Sequence, residues 1–204
     1  MTEDRALTLA DIADLRAYER ERDAFRAEVI ALKRVRRVAV GPIVTLVFEN
    51  RTTVRFQVQE MARAERMISD EQIQGELDAY NVLIPGPGEL SATLFIELTG
   101  DEDLRTWLPK LVGIERAVEL RIGEPSGEGS YPHVVRSVPE AGHAASLTRA
   151  ETTPSVHYVQ FSLTPEQVVA FADGPVALAV AHPAYGASTE LGDATRASLL
   201  GDLR

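Results

Sequence analysis

Residues 43–85 read IVTLVFENRTTVRFQVQEMARAERMISDEQIQGELDAYNVLIP, and the periodicities within this stretch decide the fold. Val44, Leu46 and Phe48 alternate with Thr45, Val47 and Glu49, and Val54, Phe56 and Val58 alternate with Arg55, Gln57 and Gln59. A period of two sends one set of side chains to a core and the other toward water. The two runs predict a β-hairpin, with Asn50 starting its tight turn because Asn tolerates a positive φ. The period then changes. Met61, Ala64, Met67 and Ile68 fall at helical spacing, and Ser69 with Gln72 forms a capping box that restarts a helix. Ile73, Leu77 and Tyr80 make its apolar stripe. The Pro85-Gly86-Pro87-Gly88 run cannot continue a helix.

Upstream, Thr8 with Asp11 predicts a capped helix start. Ile12, Leu15, Tyr18, Phe25, Val29 and Leu32 then recur at helical spacings and carry the helix to about Lys33. The run Lys33-Arg34-Val35-Arg36-Arg37 reads either as an anion patch or as cations that complement a helix C-terminus and solvate an edge strand. Val38 and Val40 begin a short strand, which Gly41-Pro42 turns into the hairpin.

Downstream, Ala92, Leu94, Ile96 and Leu98 alternate as a strand. Thr99 with Glu102 starts a helix bearing Leu104, Trp107, Leu108 and Leu111, and Gly113 suits a left-handed stop. Val118, Leu120 and Ile122 form a strand, and Val134, Val135 and Val138 suggest another. Val159, Phe161 and Leu163 form a strand before Thr164-Pro165-Glu166-Gln167, which combines an N-cap threonine, an N1 proline and an N3 glutamine. Val176, Leu178 and Val180 form the next strand. His182-Pro183 breaks it, and a final helix carries Leu191, Leu199, Leu200 and Leu203. Residues 92–122 and 156–182 thus share one layout, either a weak internal repeat or a common motif. The expected fold is α+β, with a largely antiparallel sheet of about seven or eight strands, a long N-terminal helix over one face and short strand-connecting helices. Residues 1–204 are expected to form one domain, with the loop at 123–130 as the candidate internal boundary.

Bulk properties narrow the function. The chain has 204 residues, 45% hydrophobic and 25% charged, an ordinary globular mixture. Its net charge of −10 disfavours a general nucleic-acid binder, which needs clustered excess base. With no cysteine, disulfides, thiolate metal sites and cysteine nucleophiles are excluded. No apolar run reaches the roughly 18 residues of a membrane span, and Met1 to Ala10 lacks the pattern of a secretory signal. These features lead to the expectation of a cytoplasmic protein with no membrane and no nucleic-acid partner.

The segments FRAEVIALKRVRRVAVGPIVTLVFENRTTVRFQVQEM (25–61), ELDAYNVLIP (76–85) and AHPAYGASTEL (181–191) resemble the bacterial domain-of-unknown-function family 3501. Arg63, Glu65 and Glu76 match that family's pattern. Genes of the family often stand beside those of rubrerythrin-like proteins and an iron–sulfur oxidoreductase. The resemblance therefore implies a link to iron or peroxide handling, with a rubrerythrin-like or iron–sulfur protein as partner. It implies no catalytic residues.

Two constellations are candidate sites. The chain has four histidines, of which His133 and His143 lie in polar, glycine-rich stretches. His157 shares a face with Val159, Phe161 and Leu163, and His182 shares one with Val176, Leu178 and Val180. If these strands are antiparallel neighbours the two imidazoles stand at the same end. With Tyr185 and Glu190 nearby they would then suit iron or zinc. The bland alternative is two half-buried histidines bonded to backbone. The second constellation is Arg55, Gln57, Gln59, Glu60 and Arg63, on the outer face and end of the second hairpin strand, where a polar cleft would bind a ligand. Its alternative is a solvated sheet face. No G-x-S-x-G, P-loop, G-x-G-x-x-G or H-E-x-x-H motif is present. Three functions follow as expectations: a non-enzymatic accessory protein with no cofactor, a small-ligand or metal-binding module using His157 and His182, and an enzyme with an unfamiliar site near Glu60.

Overall fold

The computed structural model describes residues 5–127, 129–140 and 151–204. His143 and much of the irregular stretch around it lie outside these residues. Helix α1 (Leu15–Arg36) starts at Asp14, whose side chain accepts from the amides of Arg16 and Ala17. The Thr8–Asp11 capping box exists, but it caps only a 3-10 turn at Leu9–Asp11. Strand β1 (Arg37–Val40) follows α1 directly and turns into β2 (Val44–Glu49).

The expected second hairpin strand is a helix, α2 (Arg51–Ala64). Asn50 is its N-cap. The Asn50 side chain accepts from the Thr53 amide, and the Thr53 hydroxyl accepts from the Asn50 amide. Val54, Val58 and Ala62 lie at i, i+4 and i+8 and are buried together. The run from Val54 to Val58 therefore satisfies a period of two and a helical period at once. Tertiary context separates them, because β2 already has β1 on one edge and β3 (Glu89–Ile96) on the other. Helix α3 (Asp70–Tyr80) begins at the expected Ser69–Gln72 box.

The remaining elements alternate strands and short helices. They are α4 (Asp101–Trp107), β4 (Val118–Ile122), β5 (His133–Arg136), β6 (Val138–Pro139), β7 (Val156–Ser162), α5 (Pro165–Asp173), β8 (Val176–His182), β9 (Tyr185–Glu190) and α6 (Asp193–Leu203). Helix α4 ends at Trp107 with Leu108 as its C-cap, so Gly113 does not stop it as expected; the left-handed Gly113, φ 90°, instead precedes a 3-10 turn at Ile114–Arg116. Strand β9 replaces the start of the expected final helix. A two-residue turn at Pro183-Ala184 pairs His182 with Tyr185 and folds the chain back onto β8.

The fold class is α+β with antiparallel pairing throughout the described strands and a long N-terminal helix. The strands form two sheets rather than one, with orders β1-β2-β3-β7-β6 and β5-β4-β8-β9. Units β3-α4-β4 and β7-α5-β8 each cross from the first sheet to the second, where β3 pairs with β7 and β4 with β8. The main core draws Leu46, Phe48, Leu94 and Phe161 from the first sheet and Leu120 and Leu178 from the second. A smaller core (Leu7, Val54, Val58, Leu77 and Leu83) lies under the helices.

The first sheet is thus a middle layer, and β2 is buried at every position. Thr45, Val47 and Glu49, expected to face water, are buried: α1 and α2 lie over Val47 and Glu49, and Thr45 donates to Glu97. The basic run divides as well. Arg36 is 1% exposed, and its guanidinium donates to the carbonyls of Phe48 and Glu49, to Ser198 and to Asp202. No helix among the described residues is long and apolar enough to cross a membrane.

Candidate functional site

Placing residues 51–64 on a helix redistributes the candidates that sequence grouped on one sheet face. Arg55 donates to the Asp11 carbonyl at 2.8 Å and stacks over the Phe25 ring at 4.9 Å. Gln59 is buried and clamps the backbone of Ala13, receiving its amide and donating to its carbonyl. Glu60 accepts from the Tyr18 hydroxyl at 2.7 Å and from two nitrogens of Arg22 at 2.8 Å each. The Arg22 hydrogen bond holds the Glu60 carboxyl below the usual range. Desolvation and Glu60 together push the Tyr18 phenol up. Arg63 donates to Glu19 at 2.5 Å. Arg55, Glu60 and Arg63 therefore bind α2 to α1, and the structure brings them together as an interhelical network.

Gln57 points elsewhere. It lines a cleft of about 210 Å³ between the helices and the back of the first sheet. Lys33, Glu49, Tyr80, Thr93 and Tyr158 supply its other polar walls, and Val54, Leu83, Phe95 and Val156 its apolar ones. Glu49 is 8% exposed. Thr93 donates to its Oε1 at 2.8 Å, while Lys33 Nζ stands 4.0 Å from Oε2. Burial, aided by Tyr80 and Glu49, pushes the Tyr158 phenol up and keeps it protonated.

Sequence reasoning missed this site. Lys33 appeared in a surface run, Glu49 beside a turn, and Tyr80 in an apolar stripe. Only the strict alternation of Thr45, Val47 and Glu49 carried a signal, and it became legible once α1 and α2 covered that face.

The two inward histidines lie on different sheets, His157 on β7 and His182 at the end of β8. Strands β7 and β8 are therefore not neighbours within one sheet. His157 is 7% exposed and shares a hydrogen bond of 2.9 Å between its Nε2 and Thr153 Oγ1. Its Nδ1 is 3.9 Å from Glu115 Oε2. Desolvation pulls the His157 pKa down despite the pull of Glu115 upward. His182 accepts from the Ala184 amide at 3.2 Å and bonds the Val112 carbonyl at 3.0 Å through Nε2. Tyr185 donates to the Val40 carbonyl at 2.6 Å and meets Trp107 edge-on. No cluster of three or more metal-ligating side chains occurs among the described residues.

Comparison with known proteins gives matches of full or nearly full length. A family model described as "Protein of unknown function (DUF3501)" matches residues 6–203. A crystal structure of a novel protein of unknown function from Burkholderia pseudomallei K96243 is 35% identical. It covers 100% of both chains with a TM-score of 0.86. No curated protein matches.

Proposed function

The chain belongs to the DUF3501 family, and from that premise we propose that it is a small-ligand-binding protein whose site is the cleft under α1 and α2. The observation that supports this reading is the buried Glu49 carboxylate in the cleft wall, held by Thr93 and facing Lys33 at 4.0 Å. A buried carboxylate ordinarily gathers several donors. Glu49 has one from Thr93, and its other oxygen lies beyond hydrogen-bonding distance of Lys33. A ligand ammonium or hydroxyl would add another. The cleft volume of about 210 Å³ equals about seven waters at ~30 Å³ each, so the ligand is compact, with an apolar body against Phe95, Leu83 and Val156.

Phenethylamine is a suitable probe, and phenylpropionate its charge-reversed counterpart. Ligand-detected NMR should show phenethylamine binding, with about tenfold loss in Glu49→Gln and a clear preference over phenylpropionate. Equal binding of both probes, or binding that Glu49→Gln leaves intact, would overturn the reading.

A wider role as an accessory protein in iron or oxidative-stress metabolism is a separate proposal, supported by the family resemblance. It predicts a stable complex with a rubrerythrin-like or iron–sulfur partner. A pull-down of purified components that recovers no complex would count against it. A metal-binding role for His157 and His182 is tested by elemental analysis of untagged protein. An enzymatic role for Glu60 is the least supported, because both its oxygens are engaged by Tyr18 and Arg22.

A further inference from the structure

We propose that the groove next to this cleft binds the chain of a monomeric amphiphilic carboxylate, with the carboxylate held by cations on the last turns of α1. The groove encloses about 340 Å³ between α1, α2 and the back of the first sheet. That lies within the ~300–1,000 Å³ typical of small-molecule sites. Val47, Phe56 and Phe95 line its apolar part, with Val29 and Ile30 beside them. Ile30 is 46% exposed, so apolar surface stands uncovered here.

Three cations, Lys33, Arg34 and Arg37, line the same groove. Their commitments differ. Arg37 pairs with Glu97 and lies over the Phe95 ring at 5.9 Å. Lys33 stands 4.0 Å from Glu49. The exposed Arg34 guanidinium has no hydrogen-bond or ion-pair partner among the described residues. An apolar trough edged by an uncommitted guanidinium complements an anion carried on an alkyl chain. The chain gains by leaving water, and a carboxylate matches the guanidinium fork.

Charge argues for a free amphiphile over an anionic membrane surface. The protein carries −10 overall, and the three cations here line a concave groove, not an exposed flat face. The groove adjoins the cleft through Lys33 and Phe95 but does not include Glu49, so this inference goes beyond the cleft reading and stands without it.

Decanoate below its micellar concentration is the probe, titrated calorimetrically into the full chain. Saturable single-site binding is expected, weaker for octanoate and absent for decyltrimethylammonium. Arg34→Glu and Ile30→Asp, both at exposed positions, should each weaken decanoate binding about tenfold or more and leave phenethylamine binding in the cleft unchanged. Failure of decanoate to saturate would overturn the proposal. So would equal binding of the cationic chain, unchanged affinity in Arg34→Glu, or a preference for phosphatidylglycerol vesicles over the monomer. Loss of phenethylamine binding alone would count against the cleft reading and leave this one standing.

Discussion

Thr93 on β3 donates its hydroxyl to Oε1 of Glu49 on β2, with 2.8 Å between the two atoms, and both side chains are buried. This bond crosses the face of the sheet that the helices cover, at the wall of the cleft. Thr93→Val keeps the shape and removes the donor, leaving the carboxylate short of its partner. A loss of about 1–3 kcal/mol is expected from urea denaturation. The same substitution in a Glu49→Gln background should cost less, because a neutral amide is cheaper to leave unpaired. Equal costs in the two backgrounds would show that the bond is not the cause.

Arg36 ties three parts of the fold together. It closes α1, caps the carbonyls at the end of β2, and reaches Ser198 and Asp202 on α6. Its guanidinium spreads across partners that a lysine ammonium cannot span. Arg36→Met and Arg36→Lys should both destabilise, the former by about 3–5 kcal/mol because Asp202 loses its buried counter-ion. Hydrogen exchange should show α6 opening first. Protection of α6 equal to wild type would contradict this role.

His157 makes stability depend on pH in a definite direction. Burial lowers its folded pKa below the ordinary 6.5, so the unfolded chain takes up the proton first as pH falls. The stabilisation is fully present above 6.5. It is lost as pH falls from there through the folded pKa, and the loss levels off below it. Urea midpoints measured at a pH above and a pH below this value should differ more for the wild type than for His157→Gln. Glu115 opposes the shift, so Glu115→Gln should widen the window of lost stability. A wild type and a His157→Gln variant with the same pH slope would exclude this account.

The close approach of the two sheets at one corner is set by Gly41. Its φ is +71°, and a Cβ there would lie 2.3 Å from Tyr185 Oη and 2.9 Å from Ala187 Cβ. Gly41→Ala forces the Tyr185 ring away from the Val40 carbonyl and strains the turn. A drop of at least ~2 kcal/mol is expected. Adding Tyr185→Phe removes the clashing oxygen and should recover part of the loss. An additive double variant would place the strain in the backbone alone.

Sequence by itself determined the elements whose signals are local. The Thr164–Gln167 and Ser69–Gln72 boxes cap helices where the residues demand it. The inward face of His157, Val159 and Phe161 follows from alternation alone. Local signals failed where a run satisfied two periods. Val54, Phe56 and Val58 fit a strand or a helix, and what decided was that β2 had no free edge left. They failed again wherever function depends on what covers a face. Alternation said that Thr45, Val47 and Glu49 share a side of β2, but nothing within the run says that two helices lie over that side. The tertiary structure alone buried Glu49 beside Lys33, locked Glu60 between Tyr18 and Arg22, and set His157 and His182 on separate sheets. Each outcome joins residues that are distant in sequence, and short-range periodicity carries no information about such pairings.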